Sequence, residues 1–207
     1  MPGTRRRITN SFDRLRTNLG RGETLLSEFF DRPGGRARRP GQPSAHEQEL
    51  LRSVLVLSVG ALDAFLSEFV IELMPRLAAA GSAQSIFTLI MRDNAGLILQ
   101  AVYLSPDDLQ RALADAIEGL FQTKVMHGSK AVRQAGDWCN LQMSNADFNS
   151  PEFPDAFGTL DDWTDKRHRI VHRGELVRMR RDEAGDVIKV VRSIGQTLND
   201  RAIALHF

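Results

Sequence analysis

Apolar residues recur at helical spacing along most of the chain. Between positions 8 and 31 they fall at Ile8, Phe12, Leu15, Leu19, Leu25, Leu26, Phe29 and Phe30, which predicts a first helix interrupted near Gly20 and Gly22. The segment 32–43 holds three prolines, three glycines and four arginines, a composition that opposes regular structure and predicts a flexible basic loop. Ser44-Ala45-His46-Glu47 has the form of a capping box and opens a long helix. From Ser53 to Ser67 that helix is apolar on nearly every face, as expected of the central member of a bundle, and Asp63 is its only charge there.

A second apolar pattern covers Ala83 to Tyr103. Ser105-Pro106-Asp107-Asp108 then supplies an N-cap, a first-turn proline and acids facing the helix dipole, so a helix to about Val125 is expected. His127-Gly128 marks its end, Ser129 to Met143 predicts a short helix, and Ser144 to Gly158, with Pro151 and Pro154, predicts a loop. Thr159-Leu160-Asp161-Asp162 is expected to open the next helix and Gly174 to close it. Beyond it, 177–191 alternates loosely around Asp182-Glu183-Ala184-Gly185-Asp186, which predicts a small β-hairpin, and Gln196 to His206 predicts a final helix. The pattern as a whole is that of one all-α domain over 1–207, a helical bundle with an appended hairpin.

Charge alters this picture by its distribution. The formal net charge of 207 residues is +1, yet residues 1–43 carry ten Arg against four acids, a local +6 that leaves −5 for the remainder. Between Lys166 and Arg181 lie seven Lys or Arg and one acid, Glu175. Such a run is a solvated face or a set of phosphate contacts, the latter giving affinity without sequence reading. The N-terminal segment lacks the apolar run of a secretory signal, and Val54 to Met74 contains Asp63, Glu68 and Glu72, each costly at membrane depth. One cysteine, Cys139, excludes an intrachain disulfide and fits a reducing compartment. These features lead us to expect a cytoplasmic chain that makes no use of a membrane.

The helix that Gly174 closes carries the candidate chemistry. At 100° per residue Leu160, Trp163, Arg167, Ile170 and Val171 share one face, and Asp161, Asp165, His168 and His172 the adjoining one. Arg167 therefore sits within an apolar stripe, where an unpaired cation costs roughly 3–5 kcal/mol, and Asp63 of the central helix is the natural counter-ion. Three readings are compatible with this arrangement. Either the pair is purely structural, or the stripe Asp161, Asp165, His168 and His172 holds a metal, or the arginine and the imidazoles converge on one cleft.

Arg167-His168-Arg169-Ile170-Val171-His172-Arg173-Gly174 resembles the R-x4-H signature of HEPN domains, and with Leu62-Asp63-Ala64-Phe65-Leu66 it is most similar to the RiboL-PSP-HEPN-like branch. The likeness runs in helix order over about 45–176. It implies an endoribonuclease that works as a homodimer without metal or other cofactor, in a toxin or phage-defence setting, restrained by an antitoxin or other regulatory protein. In these terms His172 is the acid/base, Arg167 the phosphate clamp and His168 the polar residue assisting them. Asp63 and Asp165 support them, while Arg169 and Arg173 touch the RNA backbone. Some HEPN toxins have a modifiable tyrosine two residues after the histidine; Gly174 stands there in this chain. The competing functions are a non-catalytic HEPN-like module for dimerisation or partner docking, and a metal-dependent helical hydrolase. A DNA-binding regulator is disfavoured because no recognition helix stands out.

Overall fold

A computed structural model describes residues 9–30, 43–81 and 128–207, with isolated helical positions at 88, 111, 115, 116 and 119. The described residues form five α-helices: α1 (Asn10–Phe30), α2 (Ala45–Ala79), α3 (Gly128–Trp138), α4 (Ala156–Arg173) and α5 (Arg181–His206). A 3₁₀ turn at Asn145–Phe148 lies between α3 and α4, and no strand occurs among the described residues. The all-α class is therefore correct. The loop expected at 32–43, apart from Pro43, lies outside the described residues, as do the apolar pattern at 83–103 and nearly all of the helix expected to about Val125.

Helix α2 is the hub and packs against α1, α3, α4 and α5. Leu51, Val54, Leu55, Val59, Leu62, Phe65, Leu66, Phe69, Val70, Leu73 and Leu77 are all buried, which accounts for the absence of a polar face in its sequence. The capping box at its start is present: the Ser44 amide donates to Glu47 Oε2 at 2.7 Å and the Glu47 amide to Ser44 Oγ at 3.4 Å. Ala45–Met74 is long and apolar enough to cross a bilayer by length and composition, and 56% of its most apolar window is buried in the fold. The three acids between Val54 and Met74 each meet a protein partner. Asp63 faces Arg167, Glu68 faces Arg14 at 3.2 Å, and Glu72 accepts from the Asn10 and Ser11 amides at 2.9 Å each, capping α1.

Helix α1 is continuous through Gly20 and Gly22. Gly22 is a packing residue: a methyl group there would press on Ile188 Cδ1 at 3.3 Å, so its bare backbone lets α1 approach α5 and α2 closely. The structure likewise corrects the hairpin expected at 177–191, most of which is the first half of α5. Ala184, Val187, Ile188, Val191, Ile194, Leu198 and Ala202 recur every three or four residues and are buried, a stripe longer than the short alternation around 182–186. Asp182 and Glu183, read as turn residues, are the acidic first turn of this helix, and Glu183 accepts from the Arg180 amide at 2.7 Å.

Helix boundaries shift for similar reasons. Helix α4 begins at Ala156 rather than at Thr159, because Asp155 caps it through the Gly158 amide at 2.9 Å. Helix α3 ends at Trp138, short of Met143, where Asn140 and Gln142 take left-handed backbone angles and the Leu141 amide returns to the Gly136 carbonyl at 3.0 Å.

Candidate functional site

The site is assembled on α4, whose inner face is fixed by Leu160 and Trp163, both buried in the core. One turn further on the stripe passes to Arg167, and its Nη1 lies 3.5 Å from Asp63 Oδ2 of α2. Each side chain keeps about a fifth of its surface exposed (19% and 21%). At that distance the contact is an ion pair rather than a hydrogen bond, and Arg167 Nε is buried without a hydrogen-bond partner among the described residues.

His168 and His172 stand on the outer side of α4, exposed, with ring centroids 4.7 Å apart and planes inclined at 42°. Neither imidazole is oriented by a hydrogen bond among the described residues. Ile170 packs on the core, whereas Val171, placed with it on the apolar face by helical spacing, is 48% exposed. The apolar stripe is thus narrower at its C-terminal end than the sequence pattern suggests.

The acids of α4 divide. Asp161 accepts from the Ser129 amide and hydroxyl, both at 2.7 Å, and so caps α3. Asp165 is exposed and makes no hydrogen bond or ion pair among the described residues. Among those residues no three His, Cys, Asp or Glu side chains converge as metal ligands, and the stripe weighed for a metal loses Asp161 to its structural task.

The basic run is largely partnered. Arg169 Nε meets Glu175 Oε2 at 2.7 Å and Arg173 Nη1 lies 3.8 Å from Glu175 Oε1, so one carboxylate serves both arginines expected to touch a phosphate backbone. Lys166 lies 3.4 Å from Glu183 and 4.2 Å from the centroid of the Trp163 ring. Helix α4 stops at Gly174, whose φ of 63° turns the chain away, and the Glu175 amide bonds back to the Arg169 carbonyl at 3.1 Å.

Residues that sequence reasoning passed over hold the segment that follows. Gln48 of α2 donates through Nε2 to the Met179 carbonyl at 2.8 Å and accepts the Met179 amide at 2.9 Å, pairing with it as a neighbouring strand would. Arg52, one turn along α2 and buried, donates to the Val177 carbonyl at 3.0 Å. The sequence carried little signal for them, because Gln48 and Arg52 lie among the polar residues His46, Glu47, Glu49 and Ser53 at the start of α2. No family model, curated protein or solved structure matches this chain.

Proposed function

We propose that this chain is a metal-independent endoribonuclease of HEPN kind, acting in the cytoplasm as a homodimer whose two α4 helices share one cleft. The observation that supports the reading is Arg167: a half-buried guanidinium paired with Asp63 at 3.5 Å, on the same helix turn as exposed His168 and within two turns of exposed His172. A helix built for packing alone would place a hydrophobe at that position.

In the proposed reaction the ribose 2′-oxygen attacks the adjacent phosphorus while one His172 takes the hydroxyl proton. The phosphorus–O5′ bond breaks as the partner subunit's His172 delivers a proton to O5′, leaving a 2′,3′-cyclic phosphate and a 5′-hydroxyl. Arg167 from each copy neutralises charge gathering on the non-bridging oxygens. His168 assists His172 from one turn away, and Asp63 holds Arg167 in place. Asp165 is kept as a supporting acid on the histidine face. Such an activity inside a cell calls for a restraining protein, in keeping with a toxin or defence role.

The test is cleavage of RNA by the purified chain with end-group analysis. A 2′,3′-cyclic phosphate, activity that survives EDTA, and losses of about 10²–10⁴ on His172→Ala and on Arg167→Ala are expected. Intact RNA, or equal cutting by wild type and both variants, would sink the reading. The docking-module alternative draws on the lack, among the described residues, of any hydrogen bond orienting either imidazole, and His172→Ala with unchanged cellular effect would favour it.

A further inference from the structure

The seven cations between Lys166 and Arg181 do not share one state. Arg167 is paired with Asp63, Lys166 with Glu183, and Arg169 and Arg173 with Glu175. Arg181 lies over the Phe30 ring, and Arg180 has Asp182 at 3.3 Å and Glu183 at 3.9 Å. Arg178 is exposed and makes no ion pair or hydrogen bond among the described residues. It occupies the extended segment that follows Gly174. There Val177 and Met179 point inward and are buried, while Leu176, Arg178 and Arg180 point outward. Gln48 and Arg52 pin this backbone to α2 at Met179 and Val177, so the outward side chains stand on a fixed edge. Beside that edge lies a groove of about 410 Å³ lined by Pro43, Ala45, Gln48, Arg178, Met179 and Arg180.

We infer that the edge 174–180 is an RNA-backbone contact surface, with Arg178 as its phosphate ligand. Arg169 and Arg173 are held out of that role by Glu175. The inference rests on the proposed action on RNA. It moves the backbone contact from the arginines of α4 to a pinned segment that leaves α4 directly.

Three physical points favour this edge. An exposed arginine without a counter-ion gains fully from a phosphate, whereas Arg169 must first give up a carboxylate at 2.7 Å. The pinned backbone lowers the ordering cost of binding. The six steps from His172 to Arg178 span at most ~22 Å of chain, so a single strand crossing the histidines reaches the edge within a few nucleotides. The ligand is identified by charge and continuity. A polyanionic strand fits an outward arginine, unpaired among the described residues, on the segment that leaves the candidate catalytic helix.

Binding is measured apart from cleavage by fluorescence anisotropy, using full-length protein carrying His172→Ala and a labelled single-stranded RNA of mixed sequence over a salt series. Arg178→Ala is expected to weaken binding roughly three- to tenfold and to reduce the slope of log Kobs against log[salt] by about 0.7, with Arg178→Lys restoring most of both. Arg169→Ala and Arg173→Ala change little while Glu175 is present. In a Glu175→Gln background the same two substitutions become costly. Binding unaffected by Arg178→Ala, no binding at all, or an Arg169→Ala loss as large as that of Arg178→Ala with Glu175 intact overturns the inference. Arg178-dependent binding by a chain that never cleaves RNA removes the catalytic proposal alone. Cleavage without any Arg178 dependence removes this inference alone.

Discussion

Arg167 and Asp63 meet where one side chain in an apolar stripe is a cation and one residue in an apolar helix is an acid. With about a fifth of each side chain exposed (19% and 21%), the pair lies between a surface ion pair, worth up to about 1 kcal/mol, and a buried one. A double-mutant cycle with Asp63→Ala and Arg167→Ala, read by chemical denaturation, is expected to give a coupling of about 1 kcal/mol. Arg167→Met separates structure from chemistry. Methionine suits the stripe but leaves the Asp63 carboxylate without this counter-ion, so stability should fall by about 1–3 kcal/mol with the fold kept while RNA cleavage is lost. A Met variant that cuts RNA normally rules out the clamp. This pairing was legible because each charge is isolated in its own apolar pattern. The Asp161 bond to Ser129 was not, since it depends on where α3 docks, and neither was the exposure of Val171, which depends on how far α2 covers the end of α4. Cys139 is a quieter case: it is buried, burial pushes its thiol well above the ordinary cysteine range, and alkylating reagents should leave the folded protein unmodified until denaturant is added.

At the level of elements, the ends of helices carry most of what the sequence left ambiguous. A period of 3.6 identifies α1 and α4 from their apolar residues and a long apolar run behind a capping box identifies α2, but Asp155, Asp161 and Glu72 act on helix ends through geometry that a linear pattern does not contain. The hairpin error has a related origin. A polar run with one glycine reads as a turn when viewed over ten residues and as a helix N-terminus when the 26-residue stripe is counted. Two glycines make the end geometry testable. Gly174 has φ 63° with open space around a would-be Cβ, so Gly174→Ala should cost about 1 kcal/mol through backbone conformation alone. Gly128 has φ 67°, and a methyl group there would run into Asp161 Oδ1, the oxygen that caps α3. Gly128→Ala should therefore cost more, about 2–3 kcal/mol, with loss of the cap added to the backbone term. For a chain of this size each kcal/mol lowers the thermal midpoint by about 2–4 °C, so a scan ranks the two variants. An equal or reversed ranking contradicts the assignment of Asp161 to the cap.

For the whole molecule the decisive property is the number of copies needed for one active centre. A single chain presents one Arg167 at the α2–α4 seam and one exposed His172 on the outer side of α4, while the proposed reaction needs one proton removed and another delivered at the same phosphate. If the centre is shared between two copies, it is broken in any dimer that contains one defective chain. Wild type mixed with an equal amount of the Arg167→Ala/His172→Ala double variant, after subunit exchange, should then fall to about half of its original activity, because random pairing leaves that share of wild-type chains with wild-type partners. Independent centres predict no change, since every wild-type chain would keep its own. Activity per chain should also decline on dilution, in the concentration range where sedimentation shows dissociation. The two measurements protect each other. Loss on mixing without loss on dilution indicates a dimer too tight to separate at the concentrations used, and loss on dilution without loss on mixing indicates that dimerisation supports folding rather than the reacting groups. The absence of loss on mixing, with or without loss on dilution, returns the reacting groups to one chain, where His168 would have to supply the second proton transfer.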